Sequence, residues 1–63
     1  MYEKLVGKEV KVVHKDGSHI SVTEGILSEY DDEIKTIHIN TFKGKNVYIS
    51  AAAIEKLEVL SDE

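Results

Sequence analysis

The 63-residue chain has no cysteine, no proline and no arginine. Without cysteine there is neither a disulfide framework nor a thiolate metal site, the supports on which very small folds most often rely. Without proline, low-complexity tracts or linker-like composition, residues 1–63 read as a single structured domain. Without arginine no side chain can contact phosphate in a bidentate manner or stack a planar cation on a base. All eight basic residues are lysines, which offer point charges. No apolar run approaches the roughly 18 residues of a membrane span, and the opening MYEKLVGKEV is too charged for a signal sequence. The expectation is a soluble, cytoplasmic protein with no membrane partner.

Twelve acidic residues against eight lysines give a net charge of −4, which opposes non-specific attraction to nucleic acid over most of the surface. The lysines still cluster, at Lys4, Lys8, Lys11 and Lys15 and again at Lys35, Lys43 and Lys45, while carboxylates gather over Glu29 to Glu33 and Glu55 to Glu63. A domain of this length buries only about 60% of the surface its unfolded chain exposes. Its stability alone is therefore marginal, and oligomerisation is the support left to it.

Strand signals dominate. KEVKVV alternates with Val10 and Val12 on one face, SHISV continues with Ile20 and Val22, KTIHI has Ile37 and Ile39, and NVYIS has Val47 and Ile49. Apolar matching then selects the hairpin registers. A two-residue Asp16-Gly17 loop sets Val12 opposite Ser21, whereas a three-residue Lys15-Asp16-Gly17 loop pairs Val12 with Ile20 and Val10 with Val22. The three-residue form is expected. By the same test Phe42-Lys43-Gly44 is a three-residue loop that pairs Ile39 with Val47, Ile37 with Ile49 and, on the outer face, His38 with Tyr48. Backbone geometry alone then requires Gly44, so a functional role for this turn must rest on Lys43, Lys45 and Asn46.

Gly25 interrupts a strand pattern, which marks a bulge or bend where a long second strand could pass from one partner to another. In SAAAIEKLEVL, Ser50 is a candidate N-cap and Ala51 to Ala53 favour helix, yet Leu57 and Val59 alternate. The expected form is a helical turn over residues 50–53 followed by a closing strand over residues 55–60, with a C-terminal helix as the alternative. The expected core is Leu5, Val10, Val12, Ile20, Val22, Leu27, Ile37, Ile39, Val47, Ile49, Ile54, Leu57 and Val59.

Five short strands, a glycine in the second and a helical turn before the last describe an all-β, five-stranded antiparallel barrel of SH3-like or Sm-like form. The order of motifs resembles the Sm family. LVGKEVKVVHKDG (5–17) is similar to the opening of its first motif, GILSEYD (25–31) to that motif's Gly-x-Leu-x-x-aromatic-Asp core, and FKGKNVYI (42–49) to the second motif's apolar-Arg-Gly and following strand. Two positions depart from the pattern: Lys35 stands where the family usually has Asn, and Lys43 where it has Arg. The resemblance implies a ring-forming homo-oligomer, the fourth strand of one subunit pairing with the fifth of the next, and a rim that holds single-stranded RNA. Carried over by position, that rim involves Tyr30, Asp31, Lys35, Lys43, Lys45 and Asn46. Similar barrels also serve as accessory domains of ribosome-maturation factors, where the partner is protein or ribosome.

Blander readings stand beside these. The lysines are equally read as solvated turn residues, Tyr30 as a cap on the barrel end, and Asp31-Asp32-Glu33 as an acidic turn. His14 falls on the inner parity and His19 on the outer, opposite Val13, so the histidines make no metal site. The acidic run lacks the glycine and spaced ligands of a calcium loop. With no cysteine nucleophile, Gly-x-Ser-x-Gly turn or phosphate loop, no enzyme and no cofactor are expected. Val13, Ile26, Ile34, Tyr48 and Leu60 find no place inside, which points to subunit contacts. The function expected is thus a non-enzymatic, ring-forming binding module, with a protein-interaction barrel lacking any nucleic-acid role as the alternative.

Overall fold

In the structure, a computed structural model that describes residues 2–61, five strands succeed one another: β1 (Glu9–Asp16), β2 (His19–Asp31), β3 (Thr36–Thr41), β4 (Asn46–Ser50) and β5 (Ile54–Ser61). The end of the carboxylate run, Asp62 and Glu63, lies outside the described residues. Single 3-10 turns at Tyr2–Leu5 and Ala51–Ala53 precede β1 and β5. The fold is all-β, and residues 51–61 form a turn and a strand, not a C-terminal helix. Ser50 does not act as the expected cap, for its side chain makes no capping hydrogen bond. No helix among the described residues is long and apolar enough to cross a membrane.

The strands make one antiparallel sheet in the order β4-β3-β2-β1-β5. Its two edges, β4 and β5, are not paired with each other, so the sheet is open. The radius of gyration is 10.6 Å, close to the roughly 11 Å of a folded domain this long.

The 13-residue β2 serves two neighbours. It pairs with β1 from His19 to Ile26 and with β3 from Gly25 to Asp31, so the two ladders overlap only at Gly25 and Ile26. At that crossing a Cβ on residue 25 would stand 2.6 Å from the Thr41 Cα and would run into the Asn40 carbonyl. Only glycine lets the β3 backbone approach so closely. A register shift between Leu27 and Glu29 follows at once, where one extra residue of β2 is accommodated.

The fully buried side chains are Val10 and Val12 of β1, Leu27 of β2, and Ile37 and Ile39 of β3, with Ile49 of β4 nearly so. Tyr2, Leu5, Tyr30, Val47, Ala53, Ile54 and Leu57 pack against them. The β3–β4 hairpin has the expected register, Ile39 opposite Val47, Ile37 opposite Ile49 and His38 opposite Tyr48. Gly44 sits at φ +83° in the loop, and the Thr41 N–H donates to the Lys45 carbonyl at 2.8 Å.

The first hairpin differs from expectation. Asp16 pairs with His19, so the loop is Gly17-Ser18, and Val12 meets Thr23 while Val10 meets Gly25. Gly17, at φ +67°, takes the first central position, where two-residue hairpin turns of the II′ kind favour glycine. This register turns Ile20 and Val22 outward, 59% and 55% exposed, so neither belongs to the core. It also sets His19 opposite Asp16 and Val13 opposite Val22. Val59, the third core residue that fails, faces Val10 from edge strand β5, where no further strand covers it, and is exposed.

Inward positions of β2 that the apolar pattern left empty are filled by polar packing. His14 is buried, its Nδ1–H directed at the Lys15 carbonyl at 3.2 Å and its Nε2 held 2.8 Å from the Thr23 hydroxyl. With the proton on Nδ1, the Thr23 hydroxyl donates to Nε2. No buried side-chain nitrogen or oxygen among the described residues lacks a partner.

Two substitutions test this architecture by urea denaturation. Gly25→Ala forces β2 and β3 apart and is expected to cost about 1–3 kcal/mol, as overpacking typically does; an unchanged midpoint would contradict the close crossing. Thr23→Val keeps the shape but strands the buried His14 Nε2, and an expected loss of about 1–3 kcal/mol follows from leaving that group unpaired.

Candidate binding groove beside the second strand

The β3–β4 turn is built to project side chains. Its backbone is closed by the Gly44 N–H donating to the Thr41 carbonyl at 2.9 Å, and the Thr41 hydroxyl accepts from the Lys45 N–H at 3.0 Å. Phe42, Lys43 and Lys45 therefore stand on a fixed frame and remain exposed. Neither ammonium has an ion-pair partner among the described residues. Beneath them lies a groove of about 350 Å³, walled on one side by Val22 and Glu24 of β2 and on the other by Phe42, Lys43, Lys45 and Val47.

The six residues singled out in the sequence separate into two groups. Lys43, Lys45 and Asn46 lie at the β3–β4 end, whereas Tyr30, Asp31 and Lys35 lie at the β2–β3 end. Between them runs β3, whose five residue steps span about 17 Å. Within one chain the groups do not form a single rim.

Their local partners also differ. The Asn46 Oδ1 accepts from the His38 Nε2 at 2.9 Å, and the His38 ring stacks on Tyr48 with centroids 4.5 Å apart and planes within 9°. Tyr30 is half-buried, its ring 5.5 Å from that of Tyr2 at 55°, and it packs on the core. Asp31 shapes its own turn, Oδ1 accepting the backbone N–H groups of Glu33 at 3.0 Å and Ile34 at 3.4 Å.

Lys35 adopts φ +52°, the only non-glycine left-handed residue among those described, and its carbonyl accepts the Ala51 N–H at 2.7 Å. That bond ties the β2–β3 turn to the 3-10 turn before β5. The Lys35 Nζ donates to the Asp32 carboxylate at 3.0 Å; this hydrogen bond, and then the carboxylate's charge, hold the ammonium above its ordinary pKa. Lys35 is therefore a firmly protonated cation. It is engaged with an acid, whereas Lys43 and Lys45 pair with none among the described residues.

No group of three or more His, Cys, Asp or Glu side chains among the described residues is placed to hold a metal ion. Sequence reasoning missed Phe42 and Val22 as groove residues. The signal was present for Phe42, an aromatic in a hairpin loop whose register leaves it outside the core. For Val22 it was masked by the assumption that alternating apolar residues face inward.

Comparison with protein-family models, curated proteins and solved structures finds no match to this chain.

Phe42 is 55% exposed, so its ring does little to hold the fold. Phe42→Ala is therefore expected to change unfolding free energy by no more than about 0.5 kcal/mol, the range of surface substitutions. A loss above about 2 kcal/mol in thermal or urea denaturation would instead make Phe42 a structural residue.

Proposed function

We propose that this chain is a non-enzymatic assembly and binding module of the Sm-like barrel type, in which copies associate through their edge strands and present the Phe42 groove to a macromolecular ligand. One observation carries the assembly: the sheet is open, and both of its edge strands bear exposed apolar side chains, Tyr48 on β4 and Val59 and Leu60 on β5. An unpaired strand edge is a template for another chain. Each apolar side chain fully covered there would stabilise the assembly by roughly 1.5–3 kcal/mol, a large quantity for so small a domain.

Backbone parity identifies the groups available. The Thr41 N–H bonds to the Lys45 carbonyl, so Lys45 points its backbone toward β3. By alternation Val47 and Ile49 do likewise, and Asn46, Tyr48 and Ser50 turn theirs to the open side. Pairing of this edge with β5 of the next copy would satisfy both open edges.

The left-handed backbone of Lys35 is compatible with the Sm-like reading, although the residue itself departs from the family's pattern. Where that family usually carries Asn, this chain adopts a conformation that Asn tolerates several-fold better than most residues.

Light scattering behind a sizing column tests the assembly, with an expected mass several times the 7.1 kDa chain that persists on dilution. Tyr48→Pro removes an N–H on the open side, where an edge strand tolerates proline, and is expected to reduce the mass to that of a monomer while the strand circular dichroism signal remains. A wild-type monomer would overturn the proposal. Titration with labelled oligouridylate over a salt series tests single-stranded RNA as the ligand class, a steep fall of affinity with salt being the mark of phosphate contacts.

A further inference from the structure

The groove borders a stretch of β2 that has only one neighbour. Residues 19–24 of β2 pair with β1 alone, since the β3 ladder begins at Gly25. The direction of their backbone groups follows from the bonds around them. Leu27 exchanges both of its backbone bonds on the β1 side, donating to the Lys8 carbonyl at 3.0 Å and accepting from the Gly7 N–H at 2.7 Å. The Glu24 carbonyl, by contrast, accepts from the Phe42 N–H at 3.4 Å on the β3 side. Alternation then points the N–H and C=O groups of Val22 and Ile20 to the same side as Glu24, away from β1, where β3 has already turned off into its hairpin. They have no partner among the described residues.

The concavity and its margin thus combine three features: unpaired backbone donors and acceptors at Val22, which lines it, and at Ile20 beside it, an apolar lining from Val22, Phe42 and Val47, and two unpaired ammonium groups, Lys43 and Lys45, against a single carboxylate, Glu24. We infer that this groove captures a short extended peptide that adds a strand to β2 in line with β3, carries apolar side chains toward Val22 and Phe42, and places an acidic side chain beside Lys43 and Lys45. Strand addition of this kind draws affinity from main-chain hydrogen bonds and specificity from alternate side chains. Nucleic acid, which has no peptide backbone to add as a strand, would leave the backbone row unsatisfied. The inference rests on the binding-module reading and names its ligand class; it does not depend on the assembly.

The experiment is fluorescence anisotropy with a labelled heptapeptide of alternating valine and glutamate, titrated against the wild type and against Tyr48→Pro, which retains the groove. Binding is expected to both. Lys43→Glu combined with Lys45→Glu, two exposed turn positions, is expected to weaken it at least tenfold, with circular dichroism showing the fold retained. N-methylation supplies the backbone test: methyl groups on one alternate set of peptide nitrogens should abolish binding, and on the other set should change it by less than about twofold. Equal effects of the two sets would overturn strand addition. Absence of binding at low salt, or binding of labelled oligouridylate that depends on Phe42 and Lys43 where the peptide fails, would overturn the peptide ligand. Peptide binding to a monomeric wild type would leave this inference intact while removing the assembly.

Discussion

The close crossing at Gly25 is the constraint from which most of this fold follows. A strand of 13 residues can serve two neighbours fully only if both run its whole length; here β1 takes the first part and β3 the second, and the overlap is two residues. The glycine stands between Val10 of β1 and Thr41 of β3 in the two ladders. Any Cβ there would separate the β3 backbone from β2 and with it Ile37 and Ile39, two of the fully buried side chains. The same handover leaves Ile20 and Val22 with an unpaired backbone face. The groove is thus a by-product of the geometry that makes the core, and it could not be removed without changing where β3 departs.

A small core makes the polar packing consequential. Beyond the six buried apolar residues, the interior near the first hairpin is closed by His14 and Thr23, whose mutual hydrogen bond satisfies two groups that would otherwise be buried at a cost. That pairing specifies the β1–β2 register as firmly as an apolar match would, because a shift of one residue would bury a different side chain and orphan the histidine. It also explains how two β-branched apolar residues can face water in so small a domain. The inward places they were expected to take are already filled.

Much of the fold was legible in the residues, and the misplacing of Ile20 and Val22 has one cause, the register of the first hairpin. The second hairpin was legible because Ile37, Ile39, Val47 and Ile49 match in only one register and Gly44 marks its loop. The handover at Gly25 was legible because glycine inside a strand pattern has few other uses. The first hairpin was misread because its matching was done with Ile20 and Val22, which are not core residues, and because Asp16-Gly17 was the two-residue loop tried, whereas the loop is Gly17-Ser18. The groove inherited that error: an apolar residue assigned to the core cannot also be seen lining a surface site. Lys43 and Lys45 were recognised as projecting from their turn, but their separation from Lys35 depends on β3 running between them, which residue types alone do not reveal.

The exposed apolar side chains divide into sets that suit different partners. Tyr48, Val59 and Leu60 lie on β4 and β5, edge strands of five and eight residues with no further strand paired beyond them among the described residues. Such an edge offers a ladder long enough for another folded strand, and a second copy of the chain brings a complementary one. Ile20 and Val22, by contrast, border an edge that is closed at one end by the Phe42 hairpin and at the other by the turn at Gly17. A folded sheet could not approach a gap bounded at both ends without colliding with the β3–β4 turn, but a flexible segment of a few residues could enter it. Whether the chain's own turns bound each free edge, more than its length or composition, is therefore what would suit the outer strands to the proposed assembly and the inner one to the proposed peptide.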